Sequence, residues 1–285
     1  MVWLQAPAAS VFRSYTYDKI NIDSLCSSCL LYLDRSPPGH LLLNERLCFS
    51  YEVDGMKKRL FIFVLFLGIS TILFTVFFRG GMIADTLGIH LEHPFSQKVK
   101  VPETYAKVDL NQNGVPDPID IVQSARKEVE QRTKYESNYY AGGYPPEDEG
   151  VCTDVIWRGL IGANIDLKQL IDKDIKENTE LYSTVNGKPD PNIDFRRVPN
   201  QYVFLERFTE SLTTKLIPGD VDNLEEWQPG DIVVFLDGYH HVGIVSDKRA
   251  SDGTPYFIHN NPPFAAEVKL KSFKTPIAGH YRWRY

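Results

Sequence analysis

An unbroken apolar run from Leu60 to Phe78 constrains this chain more than any other feature of its sequence. The run contains no charged residue and is long enough to span the hydrocarbon core of a bilayer as a helix. The basic cluster Met56-Lys57-Lys58-Arg59 precedes it, and no small-residue cleavage site follows closely. Because basic residues mark the cytoplasmic side of a membrane segment, we predict an uncleaved signal anchor over residues 56–80. The chain after the anchor is then extracytoplasmic, at the cell membrane. A buried core helix fits these flanks poorly.

The part of the chain before the anchor has no sustained hydrophobic period. Met56, followed at once by basic residues and an apolar run, has the form of the start of a bacterial signal anchor. We therefore expect residues 1–55 to be an unstructured or mis-annotated extension, with Met56 as the natural start. The Cys26-Ser27-Ser28-Cys29 spacing in this extension lacks the second pair or nearby histidines that would complete a zinc site.

An oxygen-rich loop begins the globular part of the chain. Residues 81–108 are predicted to be a linker, and residues 109–120 match the spacing of an EF-hand-type calcium loop, with glycine at position six. The predicted ligands of a structural Ca²⁺ are Asp109, Asn111, Asn113, Val115 through its carbonyl, Asp117 and Asp120. The alternative is a metal-free turn in which Asp120 caps the following helix.

The chain after the anchor contains a single cysteine, Cys152. Apolar or small residues recur from it with helical spacing, which predicts a helix with one buried face. They are Cys152, Val155, Ile156, Gly159, Leu160 and Ala163. A helix N-terminus favours the thiolate, so we expect a lowered thiol pKa and a nucleophile at this position. The alternative is a small buried apolar cysteine.

The order of the remaining elements predicts an α+β domain over residues 109–285, with helices first and an antiparallel sheet after them. The predicted helices are Ile121–Tyr135, a helix from Cys152, Asp166–Asn178, and a short helix capped by Asn200. The predicted strands are Ile232–Leu236, His241–Val245, Pro255–His259 and Gly279–Trp283. The net charge of −6 and the absence of a basic stripe argue against a nucleic-acid partner.

Two histidines stand at the ends of consecutive predicted strands. His241 opens one strand and His259 closes the next, so antiparallel pairing makes them neighbours. If the sheet packs on the cysteine helix, the thiol and both imidazoles form a line that fits cysteine catalysis. Arg196 and Arg197 are candidates to hold a substrate carboxylate, although such residues more often pair with a nearby Asp or Glu.

Four sequence blocks in this order resemble the bacterial YijF-like family known as domain of unknown function 1287. The blocks are Gly150–Asp154, Asn192–Asn200, Trp227–Val233 and His241–Val245. Through that family the chain is similar, more distantly, to the NlpC-type papain-like cysteine peptidases of bacterial cell walls.

The resemblance implies a papain-like domain and a role for each matching residue. Cys152 is the implied nucleophile, His241 the general base and His259 the orienting residue, with Asn260 as another candidate for the third role. The chain departs from the NlpC-type pattern after the cysteine, where serine and glycine commonly follow. The role of Asp154 therefore stays open between positioning the site and capping the helix.

The implied reaction is acyl transfer through a thioester, which requires no cofactor. The backbone N–H of Cys152 is the first candidate for the oxyanion donor, and Tyr140 or Tyr144 from the preceding loop is the second. The expected activity is that of a membrane-anchored peptidase or amidase acting on peptidoglycan stem peptides. Two alternatives remain: a non-catalytic wall- or calcium-binding module of the same fold, and a thioester-forming transferase.

Overall fold

The computed structural model describes residues 41–78, 81–92 and 98–285, and for residues 41–54 and 75–78 it describes the backbone alone. Residues 1–40, which make up most of the predicted N-terminal extension, lie outside the described residues. Contacts divide the chain into two units, Met1–Ser70 and Thr71–Tyr285.

Helix α1, Leu41–Phe78, contains the apolar run of the predicted anchor and continues toward the N-terminus beyond it. Large apolar side chains along this run, among them Phe61, Phe63 and Phe66, are exposed. Within the described part of the chain, no helix combines the length and the apolar content that crossing a membrane requires. The anchor and the extracytoplasmic location therefore stay predictions.

The second unit has an α+β fold, with helices and one mostly antiparallel sheet. Its helices are α2 (Met82–Thr86), α3 (Asp117–Gln131), α4 (Cys152–Ile161), α5 (Leu167–Glu177), α6 (Val198–Phe208) and α7 (Val221–Glu225). Its strands are β1 (Lys134–Tyr135), β2 (Glu149–Gly150), β3 (Glu210–Ser211), β4 (Ile232–Phe235), β5 (His241–Arg249), β6 (Pro255–Asn261), β7 (Phe264–Lys269) and β8 (Gly279–Arg282).

The strands form one sheet in the order β2-β1-β7-β6-β5-β4-β8-β3. All neighbouring strands are antiparallel except β1 and β2, which are parallel. The long central strands alternate between two buried faces, because successive side chains of a strand point to opposite sides. Val242 and Ile244 of β5 therefore belong to one core, and Val245 belongs to another.

The first core, which we call the helix-side core, packs α3, α4, α5 and α6 on the sheet through residues such as Ile121, Ile156, Ile244 and Ile258. All six residues of the predicted apolar stripe on the cysteine helix are buried. The second core, which we call the aromatic-side core, lies on the opposite face. Its buried members are Trp227, Val233, Phe235, Val245, Phe257 and Leu270.

Two predicted helix starts are wrong. Helix α3 begins at Asp117 after Pro116, so Asp120 lies in the first turn and is not its N-cap. Helix α6 begins at Val198 after Arg197, so Asn200 lies inside the helix. The side chain of Asn200 instead donates a hydrogen bond to the carbonyl of Asp194. Both helices carry proline in their first turn, where its fixed φ angle suits a helix and its missing N–H is not needed.

The segment that the sequence predicts as a linker contacts the sheet at several points. Asp85 in α2 is buried and pairs with the buried Lys269 of β7 at 3.2 Å. Val99 N–H donates to the carbonyl of Ser251, and Thr104 N–H donates to the side chain of Gln228. Residues 81–92 and 98–108 are thus held by buried and main-chain interactions of the domain.

Candidate active site

The cysteine helix α4 begins at Cys152 itself, after an extended N-cap at Val151. Asp154, in the first turn, accepts a hydrogen bond from the backbone N–H of Val151 at 2.7 Å. This carboxylate satisfies a backbone donor at the helix start, where the positive end of the helix dipole also favours negative charge. The hydrogen bond between Val151 and Asp154 therefore fixes the turn that presents the thiol of Cys152.

Asp154 is also the centre of a buried ionic cluster. The guanidinium of Arg196 donates to both of its oxygens, through Nε and Nη2, each at 2.8 Å. The indole N–H of Trp157 donates to Asp154 Oδ1 at 2.9 Å. Arg196 then extends through Nη1 to the carbonyl of Asn138, 2.9 Å away. Asp154 thus caps α4 and binds Arg196, which in turn joins the helix to the segment that contains Asn138.

The predicted arginine pair is engaged with carboxylates of the protein. Arg196 is buried against Asp154, and Arg197 pairs with Asp194 at 3.1 Å. Because both guanidinium groups already have protein partners, their geometry agrees with the ion-pair alternative more than with binding of a substrate carboxylate.

The thiol of Cys152 is buried in the helix-side core, with 6% of the residue exposed. Burial raises the pKa of Cys152 to about 12, because the charged thiolate loses its solvation. Hydrogen bonds from the backbone N–H groups of Val242, Thr153 and Cys152 lower the pKa, and the negative charge of Asp154 raises it further. The predicted lowering by the helix N-terminus is therefore wrong for this state, because desolvation outweighs the favourable backbone dipoles.

His241 and His259 form a hydrogen-bonded pair, with Nε2 of His241 lying 2.9 Å from Nδ1 of His259. Burial lowers the pKa of His241, and the proximity of His259 lowers it further. Burial also lowers the pKa of His259 to about 3. Both imidazoles are therefore neutral near pH 7, and one nitrogen of the pair donates while the other accepts.

Aromatic rings enclose this histidine pair on the aromatic side of the sheet. Phe273 stacks on His241 with the ring centroids 5.6 Å apart, and Phe257 stacks on His259 at the same distance. Tyr239 stacks on His241 at 5.0 Å. These contacts fix the ring planes of both histidines and keep water away from most of their surface.

The thiol and the histidines come from opposite faces of the sheet. Val242 points to the helix-side core with Cys152, so the alternation of β5 directs His241 to the other face. The two faces of the sheet are connected at the place where β5 and β6 separate. The β5–β6 pairing ends at Ile244 and Ile258, whereas β6 continues to pair with β7 as far as Asn261.

The backbone of β5 explains how the thiol reaches this opening. The N–H of Val245 donates to Asp231 on the β4 side, so alternation directs the N–H of Val242 toward β6. Beyond the end of the β5–β6 ladder, that N–H is released from strand pairing and donates to the sulfur of Cys152. The thiol therefore lies at the gap between the strands that carry the two histidines. Within the described residues, no hydrogen bond joins the sulfur to either imidazole.

The other predicted site residues have contacts of their own, outside the histidine pair. Tyr140 donates its hydroxyl to Glu149 at 2.8 Å, and Tyr144 packs edge-on against Trp157. Asn260 is fully buried on the helix side of β6, where its amide donates to the carbonyls of Thr133 and Gly150, each at 3.2 Å. Asn260 thus lies close to the chain entering α4, but in the described structure His259 is the residue that contacts His241.

Two tyrosines that the sequence reasoning missed are coupled electrostatically to Cys152. Burial raises the pKa of Tyr239 and of Tyr135, and a thiolate at Cys152 raises both further. Tyr239 also stacks on His241. The sequence places Tyr239 in the turn two residues before His241, and this position could have indicated a residue beside the site. Tyr135 lies in a two-residue strand that has no recognisable pattern.

A cavity of about 480 Å³ adjoins the enclosure of the histidine pair. Phe235 and Phe273, which both contact the ring of His241, form part of its wall. The wall also contains Leu216 and Ile277, together with the cationic side chains of Lys271 and Lys274. Lys271 is paired with Asp252. The cavity therefore combines apolar walls with the cationic side chain of Lys274, whereas Asp252 compensates the charge of Lys271.

The predicted calcium ligands lie together in the loop that leads into α3, away from the histidines in sequence and contacts. Asp109 accepts hydrogen bonds from the loop backbone, and Asn111 and Asn113 both donate to Asp120. Within the described residues, no group of three or more His, Cys, Asp or Glu side chains is arranged to hold a metal ion. A site in this loop would need amide and carbonyl oxygens as well as carboxylates.

Comparison with known proteins assigns the part of the chain that contains Cys152 and both histidines to one family. Residues 122–283 match the family described as "Domain of unknown function (DUF1287)". The chain is similar to "Uncharacterized protein YijF" of Escherichia coli (strain K12), with 36% identity over 191 residues. This match covers 64% of the chain and 87% of that relative. No solved structure matches the chain.

Proposed function

This chain belongs to the DUF1287 family, and on that premise we propose that it is a cysteine peptidase or amidase acting on peptidoglycan stem peptides. The hydrogen bond between His241 and His259 is the observation that carries the proposal. It uses Nε2 of His241 and leaves Nδ1 as the nitrogen available to the Cys152 thiol. A nucleophile, a base and a residue that orients the base are the parts that cysteine catalysis requires.

The order of these parts supports a papain-like arrangement, similar to that of the NlpC-type peptidases. The cysteine begins a helix that packs on an antiparallel sheet, and the histidines occupy adjacent strands of that sheet. The base is rigid, because aromatic rings contact both histidines. A rigid base limits the reorganisation that proton transfer would otherwise require.

The proposed reaction starts from a neutral thiol and a neutral imidazole. As the Cys152 sulfur bonds to the amide carbonyl carbon, its proton passes to Nδ1 of His241, and the tetrahedral intermediate places a negative charge on oxygen. The backbone N–H of Cys152 is the proposed donor to that oxygen. The C–N bond then breaks as His241 protonates the leaving amine. Water, deprotonated by His241, hydrolyses the thioester and releases the free thiol.

The proposed substrate follows from the cavity and from the predicted location. A peptide that carries a carboxylate matches a wall of apolar residues that also contains the cationic side chain of Lys274. Peptidoglycan is the abundant amide-containing polymer outside a bacterial cell, and its stem peptides carry such carboxylates. We propose the membrane anchor over residues 56–80 as the device that keeps the domain beside this substrate.

Digestion of purified muropeptides by the full-length protein in detergent, followed by mass spectrometry, tests the proposal. Wild type is expected to release an amine and an acid from one amide bond. Cys152→Ala should abolish turnover, and His241→Gln should lower kcat by about 10²–10⁴-fold because the general base is lost. His240→Gln is the matched control, since His240 is exposed beside the base, and it should retain full activity.

Two outcomes would replace this proposal with one of the alternatives. Muropeptide binding without turnover, unchanged in Cys152→Ala, would indicate a wall-binding module. A new amide formed when an amine acceptor is added, with little hydrolysis, would indicate a thioester-forming transferase. Cleavage that persists in Cys152→Ala would contradict cysteine catalysis altogether.

A further inference from the structure

The loop before α3 is built around oxygen atoms that face its interior. The backbone N–H groups of Asn113 and Gly114 donate to the two oxygens of Asp109, at 3.1 and 2.8 Å. The loop therefore folds back over the first carboxylate, as a cation-binding loop of this spacing does. Such turns also form without a metal.

Side chains from across the loop converge on a single carboxylate oxygen. The amides of Asn111 and Asn113 both donate to Oδ2 of Asp120, at 2.9 and 2.8 Å. Each of these amides also carries an oxygen. These oxygens accept loop N–H groups, Asn111 Oδ1 from Asn113 at 3.0 Å and Asn113 Oδ1 from Val115 at 2.7 Å. Because an amide oxygen has two lone pairs, each can also ligate a cation while its amide nitrogen keeps its own acceptors.

Asp117 has a buried carboxylate oxygen without a hydrogen-bond partner. The residue is fully buried, and its Oδ1 accepts the N–H of Leu110 within the loop at 3.1 Å. Its Oδ2 has no partner within the described structure. The bond from Leu110 to Oδ1 holds this carboxylate against the loop. A buried ionised oxygen without a partner is costly, and a bound cation removes that cost.

The loop contains three carboxylates, those of Asp109, Asp117 and Asp120. The carboxylates of Asp109 and Asp120 lie close enough to act electrostatically on Asp117. Within the described residues, none of these three forms an ion pair with a lysine, an arginine or a histidine. Three like charges in one short loop repel each other, and a divalent cation is the partner that removes both the repulsion and the unsatisfied oxygen.

The chemistry of the donors selects the cation. Carboxylate, amide and carbonyl oxygens are hard ligands, and the loop offers neither sulfur nor imidazole. Ca²⁺ accepts many oxygens in a flexible arrangement, whereas Mg²⁺ demands octahedral geometry and retains water. The glycine at position six, Gly114, has a φ of +89°, which permits the sharp turn of a calcium loop.

We propose that residues 109–120 bind one calcium ion through Asp109, Asn111, Asn113, the carbonyl of Val115, Asp117 and Asp120. The bound ion links the start of α3 to the end of the cysteine helix, because Asn111 also donates to the carbonyl of Gly162 at 3.0 Å, directly after α4. The site is separate from the proposed hydrolase chemistry and stabilises the domain whether or not that chemistry occurs.

Calcium titration of the chelator-stripped, full-length protein in detergent tests the site. Isothermal titration calorimetry with CaCl₂ is expected to report one ion per chain, with weaker binding of MgCl₂. Asp117→Asn should lower the calcium affinity by at least about tenfold, because it removes a charged ligand. Asp148→Asn is the matched control, since Asp148 is an exposed aspartate of another loop, and its affinity should equal that of wild type.

Thermal unfolding separates a calcium ligand from a residue with only a structural role. In EDTA, Asp117→Asn should unfold at the same temperature as wild type or higher, because it removes one of three repelling charges. In millimolar calcium, wild type should gain stability and Asp117→Asn should gain little. Absence of calcium heat in wild type would overturn the proposal, as would an Asp117→Asn effect that is identical in EDTA and in calcium.

Discussion

At the scale of single residues, Cys152 experiences opposing influences whose balance decides its reactivity. Backbone donors, Val242 among them, stabilise the thiolate, whereas burial removes its solvation and the carboxylate of Asp154 repels it. Burial dominates and raises the pKa to about 12. The resting protein therefore contains a thiol and a neutral histidine pair, and not a thiolate–imidazolium pair.

This protonation state predicts how Cys152 reacts with iodoacetamide. The thiolate fraction of a group with a pKa near 12 rises about tenfold per pH unit throughout the range from 7 to 9.5. The labelling rate of Cys152, measured by peptide mass spectrometry, should follow this slope without levelling off. Glutathione, as a free-thiol control, should begin to level off near the top of the range. A Cys152 rate that is already constant by pH 8 would contradict the prediction.

His259 predicts a loss of stability in acid. Its pKa is about 3 in the folded protein and near 6.5 when unfolded, so between these values only the unfolded chain binds the proton. The stabilisation is complete above pH 6.5 and is lost as the pH falls toward 3. Between pH 7.5 and 5.0 this residue should cost about 2 kcal/mol of unfolding free energy.

Urea unfolding of the full-length protein at these two pH values measures this effect. His259→Gln should reduce the difference between them, because glutamine does not titrate, even if it lowers stability at both. His240→Gln should leave the difference unchanged, since His240 is exposed. An equal pH dependence in wild type and His259→Gln would refute the assignment.

At the scale of elements, a buried ion pair joins the start of the cysteine helix to the turn before α6. Arg196 and Asp154 are both almost fully buried, and two hydrogen bonds of 2.8 Å connect them. Thr153 strengthens the junction by donating its hydroxyl to the carbonyl of Arg196 at 2.9 Å. The position of the thiol therefore depends on a segment that lies more than forty residues later in the chain.

Replacing one partner of this ion pair should destabilise the protein more than replacing both. Arg196→Met leaves the carboxylate of Asp154 buried without its cation and is expected to cost about 3–5 kcal/mol of unfolding free energy. The double variant Asp154→Asn, Arg196→Met should recover part of that loss. Urea denaturation of the two single variants and the double variant gives the coupling energy. Strictly additive effects would show that the two side chains do not stabilise the junction as a pair.

The sequence indicated the cysteine helix and the central strands because both carry strong periodic patterns. It missed β7, since Pro262-Pro263 reads as a turn and the short residues Ala265 and Ala266 give little strand signal. The two-residue strands cannot be recognised locally, because tertiary pairing alone defines them. The neighbouring strand ends of the two histidines were predictable. Which face of the sheet each histidine occupies depends on the packing of both cores, and alternation alone did not decide it.

The thiol pKa could not be predicted from the helix start for a related reason. Proximity to a helix N-terminus is visible in the sequence, but the depth of burial is a property of the folded chain. The same limit applies to Tyr140 and Tyr144, whose positions before Cys152 suggested oxyanion donors. Their contacts with Glu149 and Trp157 are properties of the folded chain as well.

At the scale of the whole molecule, the predicted anchor implies a membrane topology that can be measured. The basic cluster before Leu60 predicts that the N-terminal side of the apolar run stays in the cytoplasm. When the full chain is expressed in Escherichia coli, it should remain with membranes after an alkaline wash. A protease added to spheroplasts should digest the domain, whereas a protease added to intact cells should not.

A charge inside the apolar run provides the control for this experiment. Leu65→Arg with Ile69→Arg should shift the protein toward the soluble fraction, because arginine at the centre of a membrane helix costs about 2.5–3.5 kcal/mol. Wild-type protein that is released by the alkaline wash would contradict the anchor. A domain protected in spheroplasts but digested after lysis would contradict the predicted orientation.

The separation of β5 from β6 has a consequence for how this protein can vary. Because the thiol is supported by the helix-side core and the histidines by the aromatic-side core, the two halves of the proposed catalytic group rest on different sets of side chains. A change in the packing around Ile156 acts first on the nucleophile, and a change around Phe257 acts first on the base. The two reacting partners can therefore be adjusted one at a time, with the gap between the strands as the place where their alignment is set.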